Sequence, residues 1–340
     1  MILSVVVTFL VAAGLTPLLA AGARRRGLLD VPNARSSHIV ATPRTGGAAF
    51  VPAFLVGMVI VETQGALTYE ARLVVGSATV LALLGLADDL RSLSATARLL
   101  VQAAVACALV LVLDWQLLPS LLPSWIGIAV TVLWIVACTN AYNFMDGIDG
   151  IAGGQAIVAG LGWAVLGFVI GSPPAAAIGL LVTAAVGGFL IYNWAPARVF
   201  MGDAGSAFLG FLFGAMPLAV GEDRPGSMIW AALLVWPFLF DTGFTLVRRI
   251  RRREDIFSAH RSHLYQRLTI AGSSHSPVAM LYVILALIGV VASIALALHT
   301  AGAATFTAIA VPLAAFFLWR YVTSREAHVA GRSHSFPFSS

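Results

Sequence analysis

The sequence predicts an all-α membrane protein, a polytopic helical bundle that crosses a bilayer about eleven times. Three observations support this fold class. Apolar residues make up 59% of the 340 residues and charged residues only 10%, whereas a soluble domain carries about a quarter charged residues. The apolar residues form segments of roughly 20, the length of a spanning helix. The arginines are concentrated in alternate loops between these segments.

The eleven predicted spans cover most of the chain. In order, they are about residues 1–23, 45–64, 71–88, 97–114, 121–141, 151–171, 174–192, 206–220, 227–247, 277–299 and 301–322. The eighth has the weakest pattern because Pro217 lies inside it. We expect one integral-membrane domain over residues 1–325, followed by a disordered cytoplasmic tail over residues 326–340.

Arginine placement predicts the orientation of these spans. All 20 basic residues are arginine, and 18 of them fall in one set of alternate loops, with only Arg72 and Arg224 on the other side. Because positively charged loops remain in the cytoplasm, we expect the N-terminus outside the cell and the C-terminus inside it. This topology explains the basic composition, so we expect no nucleic-acid partner.

Aspartates mark the cytoplasmic ends of several predicted spans: Asp88, Asp89, Asp146, Asp149 and Asp203. A carboxylate at the edge of the hydrocarbon costs a few kcal/mol unless it is paired, hydrated or bound to a cation. Their placement on one side of the bilayer therefore predicts a site for a metal ion and phosphate groups. The adjacent carboxylates of Asp88 and Asp89 could bind a divalent cation or hold the proton of an incoming phosphate. A hydrated loop balanced by Arg91 is the alternative interpretation of that pair.

The segment NAYNFMDGIDG, residues 140–150, is more specific. Its asparagines and aspartates follow one another at intervals of three residues, which places neighbours on a shared helix face: Asn140, Asn143, Asp146 and Asp149. Amide and carboxylate oxygens at this spacing suit Mg²⁺, which takes one or two carboxylates plus substrate phosphates. A glycine-rich turn capped by Asn and Asp side chains is the alternative.

In FMGDAGS, Asp203 directly precedes the eighth span, where it could cap a helix or bind a metal beside a phosphate.

Two basic loops supply candidate ligands for phosphate or nucleotide groups. The first cytoplasmic loop contributes three of them: Arg35, His38 and Arg44. Arginine forks match phosphate oxygens, although anchoring to lipid headgroups is the alternative. The loop after the ninth span contains HRSHLYQ and contributes three more: His260, Arg261 and His263. A solvated basic loop is the alternative for this segment.

Taken in order, these motifs resemble those of the polyprenyl-phosphate N-acetylhexosamine-1-phosphate transferases, glycosyltransferase family 4. The resemblance covers about residues 20–270 and rests on five motifs: VPNARSSH…PRTGG, GLADD, NAYNFMDGIDG, FMGDAGS and the histidine loop. It implies transfer of an N-acetylhexosamine-1-phosphate, or a deoxy relative, from a UDP-sugar to undecaprenyl phosphate. UMP would be released, and Mg²⁺ would be required, with Mn²⁺ as a candidate substitute.

The resemblance also implies a location and roles for the candidate residues. The protein would lie in the bacterial inner membrane, with a cytoplasmic active site, and would start a lipid-linked surface polysaccharide such as O-antigen of lipopolysaccharide or a cell-wall polymer. Metal binding is assigned to Asn143 and Asp203. Catalysis is assigned to Asp88, Asp89, Asp146 and Asp149. Substrate binding is assigned to Arg35, His38, Arg44, Asn140, His260, Arg261 and His263.

The histidine loop departs from the patterns of the family. The muramyl-pentapeptide translocase branch has a run of adjacent histidines, and the O-antigen and teichoic-acid branches have His-x-His-His. Here Arg261 and Ser262 separate the two histidines, and Tyr265 follows them. This argues against a muramyl-pentapeptide substrate and leaves open which hexosamine is transferred. A homodimer and the choice between one step and a covalent two-step route also remain open.

Two other classes of protein fit less well. An ion- or proton-coupled transporter would carry acidic or polar residues near mid-span, but most acids here cluster at the cytoplasmic ends. Asp241, inside the ninth span, is an exception that needs a partner. The phosphotransferases that use CDP-linked lipids carry an Asp-Gly-x-x-Ala-Arg signature, and residues 146–151 do not match it.

Overall fold

The computed structural model describes residues 1–32, 40–116, 122–221, 224, 226–255, 258 and 260–334. These residues form thirteen α-helices and no β-strand, apart from one isolated bridge between Asp30 and Thr42. The helices are α1 (Ile2–Arg25), α2 (Gly46–Glu62), α3 (Tyr69–Arg91), α4 (Ala95–Val112), α5 (Ser124–Met145), α6 (Ile151–Ile170), α7 (Pro173–Asn193), α8 (Gly202–Val220), α9 (Ser227–Leu234), α10 (Trp236–Arg251), α11 (Leu264–Ile270), α12 (His275–Ala297) and α13 (Ala303–His334). The predicted all-α bundle is confirmed.

The eleven predicted spans all coincide with helices. Within the described residues, nine helices are individually long and apolar enough to cross a membrane. Helix α2 has a similar composition but only 17 residues. Helix α8 runs without a break through Pro217, at the position where the sequence pattern was weakest. The orientation of the bundle in the cell stays a prediction.

The ninth predicted span is wrong as a single helix. It consists of α9 and α10, which meet at an angle of 76° around Val235. Pro237 lies in the first turn of α10. Proline has no backbone N–H, which costs nothing at the start of a helix but prevents α9 and α10 from forming one continuous helix. The indole of Trp236 donates to the carbonyl of Leu285 on α12 at 2.9 Å and fixes the corner.

Helix α13 continues to His334, into the segment for which the sequence predicts a disordered tail; the tail stays a prediction. Glu326 accepts two hydrogen bonds from Arg267 of α11, at 2.7 and 2.5 Å. This bidentate pair joins the end of the last helix to the short helix that follows the histidine loop. Residues 335–340 lie outside the described residues.

Helix α8 is the most buried of the spanning helices and forms the centre of the bundle, in contact with α2, α3 and α5. Two positions on its neighbours have no room for a side chain. A Cβ on Gly47 of α2 would lie 2.2 Å from the backbone nitrogen of Gly205. A Cβ on Gly85 of α3 would lie 2.2 Å from the carbonyl oxygen of Asp203. The start of α8 is therefore packed backbone to backbone between two helices.

Candidate active site

The sequence motifs meet at one end of the bundle, where α2, α4, α6, α8 and α12 begin. We call this end the site end. Backbone hydrogen bonds join the PRTGG segment to the FMGD segment: Gly46 N to Phe200 O at 2.9 Å, Gly47 N to Met201 O at 2.7 Å, and Phe200 N to Pro43 O at 2.8 Å. The end of the first loop is therefore held directly against the segment that carries Asp203.

Asn143 and Asp203, the predicted metal ligands, are adjacent. Asn143 is at the end of α5, and Asp203 is in the first turn of α8. The Asn143 amide nitrogen donates to Asp203 Oδ1 at 2.8 Å and to Ser206 Oγ at 2.9 Å. The two side chains therefore share one site, as the metal hypothesis requires.

The two aspartates of GLADD point to different partners. Asp89 accepts from the backbone N–H of Asp203 at 2.9 Å and of Ala204 at 3.1 Å. It caps the start of α8, where backbone N–H groups lack partners within the helix. Asp88 is 8% exposed and accepts from the N–H of Leu93 at 2.6 Å. Consecutive residues on a helix point about 100° apart, which separates the two roles.

Arg98 is a site residue that our sequence analysis did not assign. Its Nη1 lies 2.5 Å from Asp88 Oδ2 and 3.0 Å from Asp203 Oδ2, so one guanidinium nitrogen bonds both carboxylates. Arg98 sits in the first turn of α4. The N-cap of this helix is Ser94, whose Oγ accepts from Ala97 N at 3.2 Å. The signal available in the sequence was an arginine one turn past a serine typical of an N-cap, ten residues after Asp88.

The turn after α5 carries Asp146 and Asp149. Burial, followed by the charges of Asp203 and Asp89, raises the pKa of the Asp146 carboxyl to about 8. Asp149 Oδ2 accepts from Ala197 N at 3.0 Å and lies 3.3 Å from His275 Nδ1. Asp88, Asp89, Arg98, Asn143 and Asp203 form the Asp203 cluster. The charge of Asp146 is coupled to this cluster, whereas Asp149 bonds the segment that precedes α8 and the start of α12.

Other candidate substrate ligands are more dispersed. The Asn140 amide donates to Gln102 of α4 at 2.7 Å, so it contributes to helix packing rather than to the Asp203 cluster. Arg44 pairs with Asp30 at 2.8 Å and is half exposed. Arg35 and His38 lie outside the described residues.

The histidine loop lies beside α5. His263 Nδ1 is 3.3 Å from Asp241 Oδ1, and its ring centroid is 6.1 Å from that of Phe144 and 5.1 Å from that of His260. Burial, together with nearby His263 and Arg249, lowers the pKa of His260 to about 4. His260 is therefore neutral at physiological pH.

A cavity of 510 Å³ opens between the histidine loop and the Asp149 turn. It is lined by Asp149, Ala195, Pro196, Arg261, Thr269, Ser273, Ser274, His275 and Ser276. The Nε of Arg261 is buried and has no hydrogen-bond partner among the described residues. A cavity of this size, bounded by a carboxylate and a guanidinium, is large enough to accept part of a nucleotide sugar.

Comparison with known proteins identifies the family. Residues 71–221 match the family described as Glycosyl transferase family 4. The chain is 32% identical over 305 residues to a probable undecaprenyl-phosphate N-acetylglucosaminyl 1-phosphate transferase of Bacillus subtilis, covering 86% of this chain and 83% of that protein. The chain belongs to this family of polyprenyl-phosphate N-acetylhexosamine-1-phosphate transferases.

Two further relatives extend the similarity across bacteria. A decaprenyl-phosphate N-acetylglucosaminephosphotransferase of Mycobacterium leprae is 30% identical over 79% of this chain and 76% of its own length. An undecaprenyl-phosphate alpha-N-acetylglucosaminyl 1-phosphate transferase of Escherichia coli is 29% identical over 91% of this chain and 87% of its own. The family match itself spans α3 to α8 and so includes the carboxylate cluster but not the histidine loop.

The donor groups around Asp203 fit a hard divalent cation. Among the described residues, no three Asp, Glu, His or Cys side chains are arranged as ligands of a single ion. Mg²⁺ does not require such a set, because it keeps waters and takes only one or two carboxylates plus phosphate oxygens. Asp203 and Ser206 provide a carboxylate and a hydroxyl oxygen at one point, and the Asn143 amide bonds both through its nitrogen. Burial is the main cause of the raised pKa of Asp146, and the charges of Asp203 and Asp89, which a cation would neutralise, add to it.

Proposed function

We propose that this protein transfers an N-acetylhexosamine-1-phosphate from a UDP-sugar to undecaprenyl phosphate, in a Mg²⁺-dependent reaction that starts a lipid-linked surface glycan. The observation that carries the proposal is that one nitrogen of Arg98 bonds Asp88 and Asp203 beside Asn143, in a chain of this family. The arginine distribution supports an inner-membrane protein with the site end in the cytoplasm.

In the proposed reaction, an oxygen of the lipid phosphate attacks the β-phosphorus of the UDP-sugar. The bond between that phosphorus and the bridging oxygen breaks, and UMP leaves with the bridging oxygen and its electron pair. The product is the sugar joined to the lipid through a diphosphate. The second pKa of a phosphate monoester is near 6, so the acceptor is already a dianion for the most part at neutral pH. A single in-line step therefore needs positioning and charge neutralisation more than a strong base.

The residues of the cluster have distinct tasks in this scheme. Asp203 and Asn143 would hold the metal, which would supply positive charge to neutralise the donor diphosphate. Asp88 accepts the remaining proton of an acceptor phosphate that arrives as a monoanion. Arg98, next to Asp88, would bind an oxygen of a substrate phosphate through its guanidinium. Asp89 keeps the start of α8, and with it Asp203, in place.

Groups farther from the cluster bind the donor. Arg44 is held near the carboxylates by the pairing of its segment with the FMGD segment. Arg261 and Asp149 bound the cavity beside the histidine loop, which suits the nucleotide or the sugar. His260 and His263 offer ring nitrogens that hydrogen-bond hydroxyl or phosphate oxygens.

The test is UMP release by the purified protein in detergent, with undecaprenyl phosphate and a panel of UDP-N-acetylhexosamines and their deoxy relatives, in the presence of Mg²⁺, Mn²⁺ or EDTA. We expect turnover that depends on the lipid and the divalent cation. Asp203→Asn should abolish most turnover without unfolding the protein, because the amide retains an oxygen that accepts the Asn143 bond. Asp114→Asn, at the opposite end of α4, is the matched control. Flux of an ion or sugar across vesicles without UMP release would refute the proposal.

A further inference from the structure

A buried carboxylate on α10 organises the histidine loop. Asp241 is 0% exposed. Its Oδ1 lies 2.8 Å from Leu264 N, 3.3 Å from His263 Nδ1 and 3.2 Å from Thr245 Oγ1. Its Oδ2 lies 3.1 Å from Tyr265 N and 2.5 Å from the Tyr282 hydroxyl. Five donors from α10, α12 and the start of α11 therefore converge on one side chain.

Three of these five donors belong to the histidine loop. The carboxylate accepts the N–H groups of Leu264 and Tyr265, which open α11 and have no partner within that helix. A buried carboxylate without partners would be strongly unfavourable, so this bonding explains how Asp241 is tolerated inside an apolar segment. Removing it would release the start of α11 and the histidine before it.

The contact with His263 determines the state of that ring. An ionised carboxylate only accepts hydrogen bonds, so the imidazole nitrogen facing it must carry the proton. A neutral His263 is therefore the Nδ1–H tautomer, and its Nε2 is the nitrogen that remains to accept a hydrogen bond. Carboxylates that orient functional histidines in this way fix both ring position and tautomer.

On its other side, the histidine loop contacts the end of α5 and the turn after it, which carries Asp146 and Asp149. The Tyr265 hydroxyl donates to the carbonyl of Phe144 at 3.0 Å. Phe144 directly follows Asn143 in the chain. The ring lies so close to the next turn that a Cβ on Gly147 would be 2.0 Å from the hydroxyl. Tyr265 occupies a position in HRSHLYQ at which the loop departs from the histidine-rich family pattern. A movement of the loop therefore reaches the segment between Asn143 and Asp146.

We propose that Asp241 is a positioning residue for the transfer reaction, which acts by holding the buried His263 ring as the Nδ1–H tautomer at the start of α11. This inference rests on the proposed function, in which the histidine loop contacts the UDP-sugar. Asp241 itself touches no substrate. Its effect on turnover passes through His263, and its backbone bonds maintain the loop that carries this histidine.

The experiment compares the parent with Asp241→Asn, His263→Gln and the double variant, using UMP release and thermal unfolding. We expect Asp241→Asn to lower turnover by about 10- to 100-fold, the range for carboxylates that orient metal-ligating histidines. In the His263→Gln background the same change should cause little further loss, because both changes remove one interaction. Thr245→Val removes a donor to the same oxygen without touching the loop and is the matched control, expected to retain most turnover. Multiplicative losses in the double variant would overturn the proposal.

A measurement on the unsubstituted protein does not depend on turnover or on the folding of a variant. In protein labelled with ¹⁵N-histidine, the signal that disappears in His263→Gln should have the shifts of a neutral Nδ1–H tautomer. The Nε2–H tautomer would overturn the inference even if the enzyme is fully active. Absence of UMP release from the parent would instead reject the proposed function and leave the tautomer result standing.

Discussion

Replacing Arg98 by glutamine tests the central ion-pair cluster directly. The substitution removes a guanidinium bonded to both Asp88 and Asp203. Loss of one partner from a buried ion pair costs about 3–5 kcal/mol. The side chains of Arg98 and Asp203 are 32% and 30% exposed, so water recovers part of this cost. We expect the free energy of unfolding without divalent cations to fall by about 2 kcal/mol, or about 4 °C in the unfolding midpoint.

A divalent cation should compensate for this loss, because it supplies positive charge to the same carboxylates. Mg²⁺ should therefore raise the unfolding midpoint of Arg98→Gln more than that of the parent, by the linkage between binding and folding. Turnover should remain low in the variant even with saturating Mg²⁺, since the proposed phosphate contact is lost. The assay is thermal unfolding in detergent with EDTA or millimolar MgCl₂, in parallel with UMP release.

Arg91→Gln is the matched control, since Arg91 is an exposed arginine at the end of α3. It should leave the midpoint, the Mg²⁺ effect and turnover close to those of the parent. Equal losses in the two variants, or a destabilisation of Arg98→Gln that Mg²⁺ does not reduce, would refute the assignment of Arg98 to the cation site.

Three further substitutions test other parts of the structure. Asp89→Ala removes the cap of α8 and should lower the free energy of unfolding by about 1–2 kcal/mol, with a loss of turnover as Asp203 shifts; an unchanged unfolding midpoint would contradict the capping role. The pKa of His260 is 6.5 in the unfolded chain and about 4 in the folded protein, so the parent should lose stability as the pH falls between these values. His260→Gln should reduce that loss. If the variant unfolds with the same pH dependence as the parent, the lowered pKa of His260 is not its cause. Glu326→Gln should lower stability by less than about 1 kcal/mol, because the pair with Arg267 is partly exposed; a larger shift in the unfolding midpoint would show that α13 has a greater role.

The sequence predicted the helical framework well because hydropathy over 20 residues reports directly on membrane spans. It did not predict the corner at Val235, since the composition remains apolar on both sides of it. The decisive features are the missing N–H of Pro237 and the hydrogen bond of Trp236 to Leu285. Polar composition after residue 325 also does not reveal that Glu326 has a tertiary partner in Arg267.

The site was predicted to the extent that motifs in loops identify it. Asn143 and Asp203 lie together across 60 residues of sequence. Arg98 was not assigned, because its relation to Asp203 across 105 residues leaves no local pattern. Asp89 was grouped with Asp88 by adjacency, yet the helical turn between them gives Asp89 a backbone role. Partner choice among long-range contacts depends on how helices pack, which spacing does not encode.

The backbone contacts that hold the start of α8 have a consequence for ligand binding. Gly47 and Gly85 leave α8 no space to move away from α2 or α3, and Asp89 fixes its first N–H groups. The carboxylate of Asp203 is therefore preorganised: its place is set by steric fit before any ligand arrives. Little of the affinity for a cation or a diphosphate is then consumed in ordering the chain, and more of it remains for stabilising the transition state.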